Sequence, residues 1–164
     1  MRLRKLKRKD APGMLEWMHD PTVVEDLKTN FLEKTMKDCE EFIEAAQSTV
    51  DNIHLAIVDE NDIYMGTVSL KHILNGSAEF GITVRTEAMG CGYSQYAMKE
   101  MLCIGFEQLK LNRIYWCVSP DNRRAVRFYE KNHYKRMEMP PSDIRGERYS
   151  AEEIKLYLWY QVER

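Results

Sequence analysis

The chain has 164 residues, of which 44% are hydrophobic and 30% are charged, and its formal net charge is −2. This length is enough for one domain with its own core, and we expect a single domain over residues 1–164. No apolar run approaches the roughly 20 residues that a membrane span requires, and no apolar segment follows the basic start, so neither a transmembrane helix nor a secretory signal is predicted.

The first nine residues carry six positive charges. Basic and apolar residues alternate over residues 2–7, as in a half-buried strand with one solvated face, and this is the interpretation that we favour. The alternative is a nucleic-acid-binding arm, whose affinity would fall steeply as the salt concentration rises.

After this strand, Asp10 is expected to cap a short helix that runs to Met18 and stops before Pro21. Thr35, with Asp38 three residues later, forms a capping-box pattern and predicts the start of a second helix. Its apolar stripe is formed by Met36, Cys39, Phe42, Ile43 and Ala46. Strands follow at about residues 53–58, 63–70 and 77–84, joined by turns at Asn61-Asp62 and Asn75-Gly76.

The longest predicted helix covers about residues 92–109. Its apolar face is formed by Ala97, Met98, Met101, Leu102, Phe106 and Leu109. An alternating strand around Trp116 follows, then a helix that Asn122 caps and that runs to Lys131. Two further strands are expected near residues 134–139 and 154–162. The order β-α-α-β-β-β-α-β-α-β-β predicts an α/β or α+β fold, in which a mixed sheet carries helices on its faces.

The cysteines form no CxxC pair and no ligand-spaced cluster with the histidines. They are Cys39, Cys91, Cys103 and Cys117. The sequence therefore predicts neither a disulfide framework nor a metal site, and a reducing cytoplasmic compartment suits it best.

The junction between the third of these strands and the long helix is the most informative segment of the chain. Gly90 and Gly92 flank a single residue just before the helix begins. Glycines allow a backbone turn whose N–H groups face inward, and a helix N-terminus adds further donors, so the loop can bind a diphosphate. The alternative is a tight strand-to-helix connection, since neither a Walker loop nor the three-glycine dinucleotide fingerprint is present.

Four segments resemble the GNAT acetyltransferases in order and spacing, and in particular the branch that contains the ribosomal-protein alanine acetyltransferases. They are Gly90-Cys91-Gly92-Tyr93, Asn122…Ala125…Tyr129-Glu130-Lys131, the strand AEFGI at residues 78–82, and WMHDPTV at residues 17–23. The resemblance implies a GNAT-like mixed, mostly antiparallel sheet with helices on both faces. It also implies an enzyme that moves an acetyl group from acetyl-CoA to a primary amine.

In that family the glycine loop and the helix start bind the diphosphate of acetyl-CoA, and the pantetheine arm runs beside the preceding strand. Carried over to this chain, the resemblance places the cofactor contacts at Ile82, Thr83, Val84, Met89, Gly90, Cys91, Gly92, Tyr93, Ser94, Asn122, Ala125 and Tyr129.

The loop departs from the family pattern at three positions. Glu87 stands where the family usually has Gln or Arg, and Met89 and Cys91 replace basic residues, so backbone amides alone are expected to bind the phosphates. His133 follows Asn132 where the family has Leu-Gly, and we interpret His133 as a structural residue at the helix end.

Six positive charges cluster further along the chain. They are Arg123, Arg124, Arg127, Lys131, Lys135 and Arg136. Two interpretations stay open: a solvated helix face, or one or two contacts to the 3′-phosphate of CoA.

Glu79, on the strand that leads to the loop, is the candidate general base, and the alternative is that it points to solvent. Tyr129 is the candidate acid toward the leaving thiolate, and the alternative is a ring that only packs. The resemblance places the oxyanion at a backbone N–H near Ile82. Cys91 and Cys117 could form an acyl-enzyme, but neither has a histidine within its motif, so we favour direct transfer.

The acceptor is expected to be a small-molecule or peptide amine. The sequence leaves open the N-terminal alanine of a ribosomal protein, a polyamine and an amino-sugar nucleotide. Residues 17–35 and 140–153 should decide between them, and a mobile loop beginning at Pro140 is expected near the acceptor. The alternative function is a non-catalytic acyl-CoA-binding module. Homodimers are common in the family, and no residue here specifies an interface.

Overall fold

The computed structural model describes residues 1–138, 140 and 148–164. The strands are β1 (Arg2–Lys5), β2 (Ile53–Val58), β3 (Tyr64–Leu74), β4 (Ser77–Val84), β5 (Arg113–Val118), β6 (Lys135–Met137) and β7 (Leu158–Glu163). The helices are α1 (Ala11–Met18), α2 (Pro21–Val24), α3 (Met36–Ala45), α4 (Tyr93–Cys103), α5 (Arg123–Lys131) and α6 (Ala151–Leu156). None of these helices is long and apolar enough to cross a membrane.

The strands form one seven-stranded sheet in the order β1-β2-β3-β4-β5-β7-β6. Neighbouring strands in the described residues are antiparallel, except for the parallel pair β4 and β5. The fold class predicted from the sequence is thus confirmed.

The parallel pair is only three residues long. Ser77–Glu79 of β4 pairs with Arg113–Tyr115 of β5, and the two strands then continue to Val84 and Val118 without pairing with each other over these described residues. The sheet therefore opens from Glu79 onward, and one edge of β4 faces a cleft rather than a neighbouring strand.

Side chains of the sheet alternate between two layers, as the period of a strand requires. In β2, Ile57 packs in the cluster that includes side chains of α4 and α5, whereas its neighbours Ala56 and Val58 pack in the cluster that includes α1 and α3. Helices thus cover both faces of the sheet.

Two of the predicted helix caps are confirmed, and in the third Asp10 lies at the N-cap position of α1 but its side chain does not bond to the helix amides. The Thr35 side chain accepts from the Asp38 amide in a capping box, and Asn122 accepts from the Ala125 amide. Asp10 instead accepts from the Lys7 amide at 2.8 Å and closes a short 3-10 turn before α1. The α3 stripe is narrower than predicted, since Met36 and Phe42 lie exposed while Cys39 and Ile43 are buried.

The long helix and the C-terminal strand also differ from prediction. The α-helix ends at Cys103, and a π-helical turn continues to Gln108, where the Leu109 amide bonds to the Ile104 carbonyl. The segment expected to begin a strand near residue 154 forms α6, because Ser150 and Glu153 make a reciprocal capping box, and the strand starts only at Leu158.

The basic N-terminus is largely paired within the chain. Asp62, in the β2–β3 turn, forms ion pairs with four cations: Arg2, Arg4, Lys7 and Lys9. Hydrogen bonds from Lys9 and Arg4 hold the pKa of Asp62 well below its usual range. Arg4 also binds Asp10 at 2.7 Å, and Arg8 pairs with Glu40 at 2.9 Å. This pairing supports the half-buried strand over the nucleic-acid arm.

Replacing Gly66 by alanine is expected to destabilise the fold. The added Cβ would press on the Thr83 carbonyl oxygen and lie 2.9 Å from the Val84 Cα, two backbone groups that cannot move aside cheaply. Overpacking of this kind costs about 1–3 kcal/mol. The melting temperature should fall by about 2–12 °C at this size, measured by thermal unfolding.

The matched control is Gly81→Ala in the adjacent strand. The Cβ added there would meet only the end of the Lys71 side chain, at 3.4 Å. This variant should unfold within about 2 °C of wild type, because a flexible chain can move away at little cost. Equal losses in the two variants would contradict the close approach of β3 and β4.

Candidate active site

A cavity of about 760 Å³ occupies the opening between β4 and β5. Its walls are the free edge of β4 from Phe80 to Val84, residues 116–119 at the end of β5, the glycine loop, and one side of α5 along its whole length. A second group of lining residues, including Asp26, Lys28 and Phe31, comes from the segment after α2. The cavity thus has one end at the loop and another at the acidic side chain of Glu79.

The loop end is built for a ligand that approaches the backbone. Gly90 and Gly92 have φ values of 76° and 86°, which side-chain-bearing residues rarely adopt, and a Cβ built on either would meet nothing within 4 Å. Gly92 is also the N-cap of α4, where no side chain caps the first amides. Free amides and open space together suit a diphosphate.

Basic side chains line the same cavity as the glycine loop. Arg124, Arg127 and Lys131, three of the six clustered cations, line the cavity from α5. The side of α5 that faces the cavity therefore supplies the positive charge that the side chains of the glycine loop lack. Glu87 adds no basic group, and its carboxylate pairs with Arg85 at 2.7 Å.

The predicted cofactor contacts fall into two groups. The structure brings ten of them to the cavity wall: Ile82, Thr83, Val84, Met89, Gly90, Gly92, Ser94, Asn122, Ala125 and Tyr129. The other two, Cys91 and Tyr93, belong to the same loop and helix start without lining the cavity.

Glu79 lies on the wall of the cavity and is 4% exposed, so the alternative of a solvent-pointing side chain is wrong. Its Oε1 accepts a hydrogen bond from the Tyr149 hydroxyl at 2.7 Å, and its Oε2 accepts one from Arg148 at 2.8 Å. Lys71 lies 3.4 Å from Oε1. Two cations and a hydroxyl therefore compensate the buried carboxylate.

The residues around Glu79 connect two distant parts of the chain. The Lys28 ammonium lies 4.2 Å from the centre of the Tyr149 ring, donates to the Arg148 carbonyl at 2.8 Å, and pairs with Glu153 at 3.1 Å. These contacts fix the segment after α2 against the start of α6. Of the loop predicted from Pro140 to Glu153, residues 141–147 lie outside the described residues, and residues 151–153 instead begin α6.

Tyr129 reaches the cavity from α5. Its ring packs against Trp116, with the centroids 5.3 Å apart, and against Tyr160 at 5.2 Å. Burial raises the pKa of Tyr129 well above the usual value for a tyrosine, so its hydroxyl stays protonated at neutral pH. Tyr129 thus packs in the core and also lines the cavity.

Cys117 lies on the cavity wall, whereas Cys91 is exposed in the loop. Burial raises the pKa of the Cys117 thiol to about 11. Since the thiolate is the nucleophile, a thiol with this pKa is unreactive near neutral pH. The raised pKa therefore disfavours an acyl-enzyme at Cys117. Within the described ranges, no three potential ligands are grouped as a metal site would require.

Three residues of the site were missed by sequence reasoning: Lys71, Arg148 and Tyr149. The Lys71 contact follows from the β3–β4 register, which pairs Lys71 directly with Glu79. Arg148 and Tyr149 lie 69 and 70 residues from Glu79 in the chain, and no local pattern connects them to it.

A parallel pair of strands separates to form a cleft, and a glycine loop and an uncapped helix start lie at one end of this cleft. This is the arrangement of a CoA-dependent acyltransferase. The family model described as acetyltransferase (GNAT) domain matches residues 1–135. The chain belongs to this family. It is an acetyltransferase whose acetyl donor is acetyl-CoA.

Curated relatives and solved structures agree with this assignment. The chain is 28% identical over 133 residues to acetyltransferase PseH of Campylobacter jejuni, covering 79% of each chain. It is 28% identical over 134 residues to the spermidine N(1)-acetyltransferase of Vibrio cholerae, covering 79% of this chain and 75% of the relative.

The same fold is found in the V. cholerae spermidine N-acetyltransferase in complex with CoA and spermine. That structure gives a TM-score of 0.80 at 20% identity, covering 99% of this chain and 94% of the other. A putative ribosomal-protein-serine acetyltransferase from V. cholerae gives a TM-score of 0.74 at 15% identity, covering 99% and 92%.

Proposed function

We propose that this protein transfers the acetyl group of acetyl-CoA directly to a primary amine, with Glu79 as the general base and Tyr129 as the general acid. The observation that carries the proposal is that both side chains line one cleft, which opens where β4 and β5 part. Glu79 is the last residue of β4 that pairs with β5, and Tyr129 lies on α5.

The cofactor would extend from the loop to the point where the strands part. The Gly90 and Gly92 region would hold the diphosphate with backbone amides, assisted by the cations of α5. The unpaired edge of β4 at residues 82–84 would hydrogen-bond the pantetheine arm as an added strand does. Bound acetyl-CoA supplies the acetyl thioester at the far end.

Glu79 would take the proton that the amine must lose. An alkylamine with an ordinary pKa near 10.4 is almost wholly charged at neutral pH and cannot attack until it is deprotonated. Arg148 and Lys71 both pair with the Glu79 carboxylate, at 2.8 and 3.4 Å. Proton transfer can be direct or through one water molecule.

Tyr129 would donate the proton that the leaving sulfur requires, and a backbone N–H near Ile82 would bind the oxyanion. Burial raises the pKa of Tyr129, which keeps this donor protonated. Direct transfer is supported by the raised pKa of Cys117, since that thiol is not ionised when the amine attacks.

The acceptor end of the cavity carries charges of both signs. Asp26 and Glu79 could bind a cationic amine, while Lys28 and Lys71 could bind an anionic group on the same molecule. An N-terminal peptide, a spermidine-like polyamine and an amino-sugar nucleotide are therefore the acceptors to compare. The relative named as a spermidine N(1)-acetyltransferase makes the polyamine the first to test.

The experiment is to follow thiol release from acetyl-CoA with each acceptor. We expect amine-dependent release with at least one acceptor, with N-acetylated product confirmed by mass spectrometry. If acetyl-CoA binds but no amine in the panel is acetylated, catalysis on primary amines is contradicted and the non-catalytic CoA-binding module takes its place.

Replacing Arg124 or Arg127 by glutamine is expected to raise the KM for acetyl-CoA by about tenfold, as the loss of a charged phosphate contact would do. With 3′-dephospho-acetyl-CoA, the variant that contacts the 3′-phosphate should differ little from wild type. The matched control is Arg123→Gln, since Arg123 lies on the same helix but does not line the cavity. If the KM for acetyl-CoA is unchanged in both Arg124→Gln and Arg127→Gln, the clustered cations are better interpreted as a solvated helix face.

A further inference from the structure

The ammonium group of Lys28 contacts three groups of one short stretch of the chain, residues 148–153. It donates to the Arg148 carbonyl at 2.8 Å, pairs with Glu153 at 3.1 Å, and lies 4.2 Å from the centre of the Tyr149 ring. A carbonyl oxygen, a carboxylate and the face of an aromatic ring all attract an ammonium ion. One side chain of the segment after α2 thus binds the backbone, a charge and a ring of the segment that begins α6.

Two residues of that stretch are also side-chain partners of Glu79. The Tyr149 hydroxyl donates to Oε1 at 2.7 Å, and the Arg148 guanidinium donates to Oε2 at 2.8 Å. The backbone of Glu79, in contrast, lies within the sheet, where it pairs with Lys71 of β3 and Tyr115 of β5. The sheet therefore fixes the backbone of Glu79, while Arg148 and Tyr149 help to orient its carboxylate.

The orientation of this carboxylate matters for the proposed chemistry. A general base must lie within about 2.6–3.2 Å of the atom whose proton it takes, and a misplacement of about 1 Å can cost about 10²-fold in rate. Arg148 and Tyr149 directly precede α6, whereas Glu79 lies in β4, so their relative positions depend on contacts between separate segments. Lys28 supplies such contacts from a third segment.

We propose that Lys28 positions the candidate base: its ammonium group keeps Arg148 and Tyr149 in place against the carboxylate of that base. This inference rests on the proposed role of Glu79 as the general base. The side chains of Lys28 and Glu153 are 43% and 30% exposed, and ion pairs with this exposure contribute little to stability. The effect of removing Lys28 should therefore appear in the rate rather than in the folding of the protein.

The test begins with Lys28→Met, which removes the ammonium group and keeps an unbranched side chain. With the amine of the panel above that is acetylated, kcat should fall by about tenfold while the KM for acetyl-CoA stays within about twofold. The melting temperature should fall by no more than about 4 °C. The matched control is Lys37→Met, since Lys37 also pairs with a glutamate but lies on α3 and does not line the cavity. This control should keep the wild-type kcat.

A double-mutant cycle separates positioning from a general structural role. If Lys28 acts through Glu79, adding Lys28→Met to Glu79→Gln should lower kcat by less than about twofold, because the base that it positions is already absent. Acetylated product is quantified by mass spectrometry, so that the slow Glu79→Gln background remains measurable.

Three results would overturn the inference. An equal loss of kcat in both backgrounds would mean that Lys28 acts independently of Glu79. A rise in the KM for the amine with unchanged kcat would make Lys28 a contact for the acceptor instead. If Lys28→Met keeps the wild-type kcat while Glu79→Gln loses activity, the inference fails and the proposed base stands. If Glu79→Gln itself keeps the wild-type rate, or no amine is acetylated, the inference fails together with the proposed function.

Discussion

Replacing Glu79 by glutamine is expected to lower kcat/KM for the amine by about 10²- to 10⁴-fold, the usual contribution of a general base. Glutamine keeps the size of the side chain, but its single carbonyl oxygen can accept in place of only one of the two carboxylate oxygens that Tyr149 and Arg148 bind, and it cannot take a proton from an ammonium group. The loss should shrink as the pH rises toward the pKa of the amine, because more of the acceptor is then already neutral. Steady-state kinetics between pH 7 and 10 measure both effects.

The control for Glu79→Gln must separate chemistry from folding, since Arg148 would lose the charge that it faces in the buried network. Removing one partner of a buried ion pair costs about 3–5 kcal/mol, so thermal unfolding and acetyl-CoA affinity should be measured on the same variant. Asp26→Asn is the matched substitution, because it removes another carboxylate from the same cavity. A similar loss of kcat/KM in both variants would mean that Glu79 acts through its negative charge in the cavity and does not accept the proton of the amine.

Replacing Tyr129 by phenylalanine is expected to lower kcat by about 10²-fold while the KM for acetyl-CoA stays within about threefold. Only the hydroxyl is removed, and the ring contacts with Trp116 and Tyr160 remain. Because burial raises the pKa of Tyr129, its ionisation should not reduce the wild-type rate up to about pH 10. Steady-state kinetics and a pH profile of both proteins test these expectations.

Tyr134→Phe is the matched control for this variant. Tyr134 contacts the same Trp116 ring at 5.3 Å but does not line the cavity, so its hydroxyl has no access to the leaving sulfur. This control should retain nearly the wild-type kcat. If Tyr129→Phe also retains it, the proton reaches the sulfur from another donor and Tyr129 only packs.

The segments with strong local signals were predicted well. The Asn75-Gly76 turn and the glycine loop delimit β4, which was predicted and found at residues 77–84. Asn122 caps α5 as its side chain predicts, because the donor it satisfies lies only three residues away. Features determined by neighbours in sequence can thus be predicted from the local residue pattern alone.

The environment of Glu79 could not be predicted in this way. A regular hairpin around Asn75-Gly76 would place Phe80 opposite Lys71, but a register shift near His72, which has a φ of 52°, brings Glu79 there instead. A slip of one residue exchanges the two faces of a strand. Because this bulge lacks a glycine, the sequence did not indicate that a lysine would face the candidate base.

The end of the long helix could not be predicted from the local sequence either. A continuous apolar stripe predicts one helix to residue 109, yet the chain changes to a π-helical turn at Ile104. A Cβ on Gly105 would lie 2.5 Å from the Ile114 side chain, so the helix approaches β5 closely at this point. Close packing against a distant strand is a tertiary effect that periodicity does not report.

The central claim is that the cleft between β4 and β5 binds acetyl-CoA, and thermal unfolding with the cofactor tests it most directly. At about 100 times Kd, acetyl-CoA should stabilise the protein by about 2.7 kcal/mol, which raises the melting temperature by roughly 5–10 °C. CoA should act similarly, whereas ATP and NAD should not. No shift at millimolar acetyl-CoA would contradict the account, and equal shifts with ATP and NAD would reduce the site to a general phosphate site.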